Sequence, residues 1–300
     1  MTLTNLAASI RAKLLNHAKA QGADFNLILT QFGLERMLYR LSVSPYAQRF
    51  LLKGALLFNL WHDLPRRPTR DADLLGFGSS EIADLIQVFK DLCTVHCEDG
   101  IVFLPDSVSA EPIRKDAGYP GVRITLRGEL DGARCPVQVD IGFGDVVTPE
   151  PETVTYPVLL DTLPAPTVRA YSRYSVVAEK LHIIVVRGVA NSRLKDYFDL
   201  WTIAKYSELE GGLLVRAIAA TFARRETALP ENAPVGLGDE LLADNRKQND
   251  WRAFLGKNKL TAPDLADVVA FLRAFLLPVI EAARGKADFK TRWNRKGRWQ

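Results

Sequence analysis

Two aspartates one residue apart, Asp71 and Asp73, close the stretch FLLKGALLFNLWHDLPRRPTRDADLL at positions 50–75. On a strand from Thr69 to Leu75 the two-residue period puts both carboxylates on one face. Two like charges held that close oppose each other's ionisation unless a cation joins them. A divalent metal is the usual remedy. Hard oxygen ligands hold Mg2+ (or Mn2+), which neutralises phosphate charge and positions an attacking hydroxyl. Paired acids also occur on plain solvated strand faces. Here LLKGALLF precedes the pair and Leu74 and Leu75 follow it, and this apolar setting favours the metal reading.

Other residues can complete such a site. In CPVQVDIGFGDVV (135–147), Val137, Val139 and Ile141 point one way while Gln138, Asp140 and Gly142 point the other, so Asp140 is a third carboxylate on a later strand. Lys53 and Gly54 end an apolar run. Gly54 suits a strand-to-helix turn whose backbone N–H groups approach a phosphate, or simply a tight turn. Arg66, Arg67 and Arg70 can neutralise phosphates or an RNA backbone, or belong to a solvated loop. Lys180 lies in YSVVAEKLHIIVVR (174–187) and Asp196 in SRLKDYFDLWTIAKY (192–206), and the GVAN turn between them makes a helical hairpin that brings both to one edge. Lys180 then competes between a triphosphate-binding charge and an ordinary surface lysine. The Cys93-x-x-His96-Cys97 cluster lacks a fourth zinc ligand at a sensible spacing, and His17, His62 and His182 stand apart from any nucleophilic Ser or Cys arrangement.

The elements that must position these residues follow from periodicity. Leu6, Ile10, Leu14 and Ala18 predict a helix over 4–20, and Leu27, Leu34, Leu38 and Leu41 a second over 25–42, closed by Pro45. SSEIADLIQVFKDL (79–92) is amphipathic, with Ser79 or Ser80 as its N-cap. Between 100 and 146 short β-branched runs broken by Gly, Pro or Asp predict strands. Five prolines between Thr148 and Thr167 predict an extended connection. A boundary falls there, giving a first domain over 1–160 and a second over 161–300. Apolar stretches near 212–224, 237–244, 247–255 and 264–283 predict an all-helical second lobe. Strands followed by helices make an α+β chain.

At 300 residues, 47% apolar and 25% charged, the chain can bury a substantial core and is not a disordered or fibrous sequence. Its net charge of +4 is concentrated at one end. Residues 284–300 carry seven Lys/Arg against Asp288, a net of +6, which leaves the rest at −2. There FKTRWNRKGRW interleaves Phe289, Trp293 and Trp299 with Lys290, Arg292, Arg295, Lys296 and Arg298. This mixture either stacks bases and contacts RNA phosphates or anchors the C-terminus through its aromatics. Three cysteines make no closed disulfide framework, and neither a signal-like N-terminus nor a bilayer-length apolar run is present. The expectation is a soluble, reduced, cytoplasmic protein with no membrane partner.

Taken together, LKGALLFNLW, RPTRDADLL, VQVDIGF, YSVVAEKLHIIVVR and LKDYFDLW resemble the motif series of the AbiEii/MenT family of nucleotidyltransferase toxins, in order from Phe50 to Trp201. The resemblance implies a DNA-polymerase-β-like nucleotidyltransferase lobe, a mixed sheet with flanking helices, followed by a mainly helical lobe. It implies metal binding by Asp71 and Asp73, with Asp140 at the third acidic position. It implies nucleotide-phosphate binding by Lys180 and a further acid at Asp196, beside the nucleotide-binding candidates Lys53, Gly54 and Arg70. The implied activity is metal-dependent transfer from an NTP to RNA, in some members the tRNA 3′ end, by a toxin with a cognate antitoxin. Where many relatives have Gly-Gly-Thr or Gly-Ser, this chain has Gly54, Ala55 and Leu56, without the phosphate-holding hydroxyl. A catalytically inactive RNA- or partner-binding relative is therefore the alternative, and a D-x-D glycosyltransferase a more distant one.

Overall fold

A computed structural model describes residues 3–61, 64, 67–114, 120–285 and 288–300. It divides into two units. The first comprises Met1–Leu60, Thr69–Gly144 and Glu152–Ala170, and the second Trp61–Pro68, Asp145–Pro151 and Tyr171–Gln300.

In the first unit, helices α1 (Leu3–Gln21) and α2 (Phe25–Ser42) form where the leucine spacing predicts them. Asp24 caps α2 by accepting a hydrogen bond from the Leu27 amide at 2.8 Å. Strand β1 (Phe50–Lys53) runs into a 3-10 turn, Gly54–Asn59, then β2 (Ala72–Gly76) and α3 (Ile82–Thr94). The N-cap of α3 is Glu81, with no side-chain capping bond, rather than Ser79 or Ser80. Strands β3 (Val102–Phe103), β4 (Ser109–Arg114), β5 (Pro120–Leu130) and β6 (Ala133–Phe143) follow. From the proline-rich connection, β7 (Glu152–Thr155) and β8 (Thr167–Ala170) join the same mixed sheet, in the order β3-β5-β6-β2-β1-β8-β7 with β4 beside β5.

One face of this sheet is core. Ala72, Leu74 and Val139 line a small apolar gap with Leu34, Leu38, Phe89 and Leu92 of the covering helices. The helix comes this close because of Gly33, where a Cβ would lie 3.1 Å from Val137 Cγ2. Alternation then sends the neighbouring positions on β2 and β6 to the opposite face.

The second unit holds α4 (Arg173–Arg187), α5 (Leu194–Tyr206), α6 (Gly211–Arg224), the short α7 (Asp239–Leu242), α8 (Asn245–Asn258) and α9 (Leu265–Gly285). It is mainly rather than wholly helical. Strands β9 (Leu209–Glu210), β10 (Arg292–Asn294) and β11 (Arg298–Trp299) form a three-stranded sheet that carries the basic C-terminal segment. Among the described residues no helix is long and apolar enough to cross a membrane.

Candidate functional site

The acidic residues are positioned by strand register. Lys53 of β1 pairs with Asp73 of β2, Asp73 with Asp140 of β6, and Asp140 with Arg123 of β5. Directly opposed residues share a face of a sheet, so four strands present one row of charges: Lys53, Asp73, Asp140, Arg123. A cation closes each end and two carboxylates lie between. Lys53 is 7% exposed and Asp140 9%, whereas Asp73 and Arg123 are half-buried.

Asp71 lies just before β2 rather than within it, and Thr69 Oγ1 donates to its Oδ1 at 2.5 Å. Asp73 closes over Gly54. That glycine has φ +72°, and a Cβ on it would stand 1.9 Å from Asp73 Oδ2. Both its backbone conformation and the space above it therefore demand glycine. Ala55 and Leu56, where a phosphate-holding hydroxyl was expected, are buried in the turn.

Arg123 was not singled out by its sequence. It holds Asp140 with a planar fork: Nε donates to Oδ1 and Nη2 to Oδ2, each at 2.9 Å. The Asp140 carboxylate raises the Arg123 pKa, so the guanidinium stays charged. A signal for this contact was present. Asp131-Gly132 between two β-rich runs marks a two-residue hairpin turn, and counting back from Leu130 opposite Ala133 places Arg123 opposite Asp140.

The donor set suits a hard divalent cation, since Asp73 and Asp140 offer carboxylate oxygens from paired positions on β2 and β6 and Asp71 lies just before β2. Among the described residues, however, no group of three or more His, Cys, Asp or Glu side chains converges as a metal site. Both oxygens of Asp140 are occupied by Arg123.

In the second unit the α4–α5 hairpin joins Lys180 to Asp196, as its spacing predicts. Lys180 Nζ lies 2.7 Å from Asp196 Oδ1 and 2.7 Å from Asp199 Oδ2. Arg193 Nε donates to Asp196 Oδ2 at 2.9 Å and Arg67 Nε to Asp199 Oδ1 at 3.1 Å. Burial opposes the charge on Asp196, but Lys180 and Arg193 outweigh it and lower its pKa. Burial likewise opposes the charge on Lys180, and the two aspartates outweigh it and raise its pKa. Arg67, expected at an RNA surface, commits its charge to Asp199. Arg70 is exposed, and Arg66 lies outside the described residues.

The C-terminal aromatics anchor the chain. Trp293 is fully buried, its indole donating to the Ala204 carbonyl at 2.6 Å, so its assignment to RNA stacking is corrected. Trp299 donates to the Phe275 carbonyl at 3.0 Å and stacks on that ring. Lys290, Arg292, Arg295, Lys296 and Arg298 stay exposed, with Lys290 paired to Asp288 and Arg292 to Glu210.

A family model described as nucleotidyl transferase AbiEii toxin, type IV toxin–antitoxin system, matches residues 36–282. Among solved structures, the chain is similar to JHP933 from Helicobacter pylori, at 14% identity and TM-score 0.42, over 91% of this chain and 92% of that one. It is also similar to a candidate nucleotidyltransferase from H. pylori, at 14% identity and TM-score 0.45, over 86% and 94%. No curated protein matches the sequence.

Proposed function

Since the chain belongs to the AbiEii nucleotidyl transferase toxin family of type IV toxin–antitoxin systems, we propose that it transfers a nucleotide from an NTP to an RNA acceptor, the tRNA 3′ end, on the acidic face of the eight-stranded sheet. The observation that carries this reading is the Lys53–Asp73–Asp140–Arg123 row with Asp71 beside it. Two neighbouring carboxylates retained on a sheet, against their mutual repulsion, are a site prepared for a cation.

Asp71 and Asp73 would hold Mg2+ (or Mn2+), with Asp140 as the third acidic position. The ion supplies neutralisation of phosphate charge. Gly54 lets the Asp73 carboxylate lie directly against the turn after β1, and Lys53 adds a cation at the end of the row. Lys180 as a triphosphate-binding charge, with Asp196 and Asp199 setting its geometry, rests on the sequence resemblance. Arg70 remains an exposed cation next to Asp71 for nucleotide phosphates. Lys290, Arg292, Arg295, Lys296 and Arg298 would meet the RNA backbone, through charge rather than through Trp293. Rate enhancement in such a site comes chiefly from positioning and electrostatics. A type IV toxin also implies an antitoxin partner.

The test is incubation with total tRNA, Mg2+ and each labelled NTP in turn. Label should enter tRNA with the wild type and not with Asp71→Ala. No transfer by the wild type, or equal transfer by the variant, overturns the reading. The lack of a hydroxyl at Ala55 and Leu56 supports one alternative, a relative that binds NTP and RNA without turnover. Metal-dependent NTP binding without label transfer would select it.

A further inference from the structure

We propose that Arg123 is a positioning residue that competes with the divalent cation for Asp140, so that the third carboxylate becomes a metal ligand only when the guanidinium lets go. The inference rests on the metal-dependent reading above. It starts from an apparent conflict. Register places Asp140 directly beside Asp73, yet the acids do not converge as a three-ligand group among the described residues. The Arg123 fork accounts for this by occupying both Asp140 oxygens at 2.9 Å.

The contact has the form of a competitor rather than of a permanent core pair. A planar guanidinium satisfies a carboxylate at two points, as a metal does at one or two, so each excludes the other. Asp140 is nearly buried, with Gln138 Nε2 at 3.4 Å from Oδ1 as a weaker neighbour. Its charge therefore needs a partner at all times. Arg123 is different, because its side chain is 34% exposed and water can take over its hydrogen bonds on release. The contrast with Arg40 is informative. Arg40 makes the same fork to Asp99 at 2.7 and 3.1 Å, but both of those side chains are almost completely buried and neither has solvent to move into.

The arrangement gives the row two states with different charge. With Arg123 engaged, Asp140 is neutralised and the remaining acids bind a cation with fewer charged oxygens. With Arg123 released, three carboxylates face the ion. Binding of a cation and loss of the Arg123 contact are then linked. The anionic phosphates of an incoming nucleotide offer the freed guanidinium a bidentate partner of the same kind.

Mn2+ titration of the full chain, read by the electron paramagnetic resonance signal of free Mn2+, tests this without recourse to activity. Arg123→Gln should bind Mn2+ roughly tenfold more tightly, because the ion no longer has to displace a bidentate charged partner from Asp140. Arg123→Lys, which keeps the charge and guards against misfolding of the glutamine variant, should gain less because it retains one contact. The decisive comparison is the double variant Arg123→Gln with Asp140→Asn, in which the gain should vanish. A gain that persists without the Asp140 charge would show only a general electrostatic effect and overturn the proposal. So would unchanged affinity in both single variants when Asp73→Ala abolishes binding, an outcome that leaves the metal-dependent reading standing. Mn2+ affinity indifferent to Asp73→Ala would instead overturn that reading and the inference with it.

Discussion

The acidic face of the eight-stranded sheet and the charged network of the α4–α5 hairpin use the same residue types to opposite ends. In the hairpin, Asp196 and Asp199 are almost completely buried, and Lys180, Arg193 and Arg67 surround them. Burial makes pairing obligatory there, and the pairs hold the helices in place. On the sheet, Asp71 and Asp73 are half-buried and sit next to one another and to Asp140. Like charges there repel one another, which is why that face is the proposed cation site. The number of acids does not separate a structural cluster from a functional one. The balance of opposite charge around each acid, weighed against its access to water, does.

Asp71→Asn should lower nucleotide transfer by about a thousandfold, on the scale of losing metal-mediated charge stabilisation. Its unfolding free energy should stay within about 0.5 kcal/mol of the wild type. Asp199→Ala should do the reverse to stability, costing about 3–5 kcal/mol in denaturant unfolding because Lys180 and Arg67 lose a buried partner. Similar stability losses for the two variants would erase the distinction between the regions.

Gly54→Ala sharpens the sheet side. The new Cβ meets the Asp73 carboxylate and the backbone has φ +72°, so about 1–3 kcal/mol of stability should be lost together with most Mn2+ affinity. The second unit has a pH counterpart. His182 Nε2 bonds Thr227 Oγ1 at 2.9 Å while Nδ1 faces Arg225 at 3.2 Å, and burial followed by the Arg225 charge pushes its pKa from 6.5 down to about 4. The folded ring stays neutral where the unfolded one takes a proton. Stability is therefore full above pH 6.5 and falls as pH drops towards 4, by about 3 kcal/mol in all. His182→Gln should flatten that slope. The smallest expected effect is at the surface: Arg298→Ala should reduce the salt slope of RNA binding by less than one and weaken all sequences alike.

Much of this could be read from periodicity and composition, and the exceptions have physical causes. The helices at 3–21 and 25–42 and the alternation of Val137, Val139 and Ile141 are local patterns, and local patterns survive in sequence. The Lys180–Asp196 contact was legible because a short turn joins the two helices. Asp199 meets Lys180 across the same turn and was overlooked, and only its second partner, Arg67, lies far away in sequence. The pairing of Asp73 with Asp140 needs the long-range register of parallel strands, which no turn sets. Trp293 stayed open in the sequence because an indole between arginines reads the same whether it faces RNA or a core, and only packing against Phe271 and Phe275 decides. Arg123 was within reach and overlooked, being one of several alternating basic residues on a strand with no motif of its own.

The Asp131–Gly132 turn has a consequence for divergence within a lineage. Both residues have positive φ, and together they set which β5 side chain stands opposite Asp140. Gain or loss of one residue at that turn would shift β5 by one position and bring an apolar neighbour to Arg123's place. Descendants could then differ in metal requirement while keeping every acidic residue, their chemistry altered by the length of a loop rather than by the letters of the site.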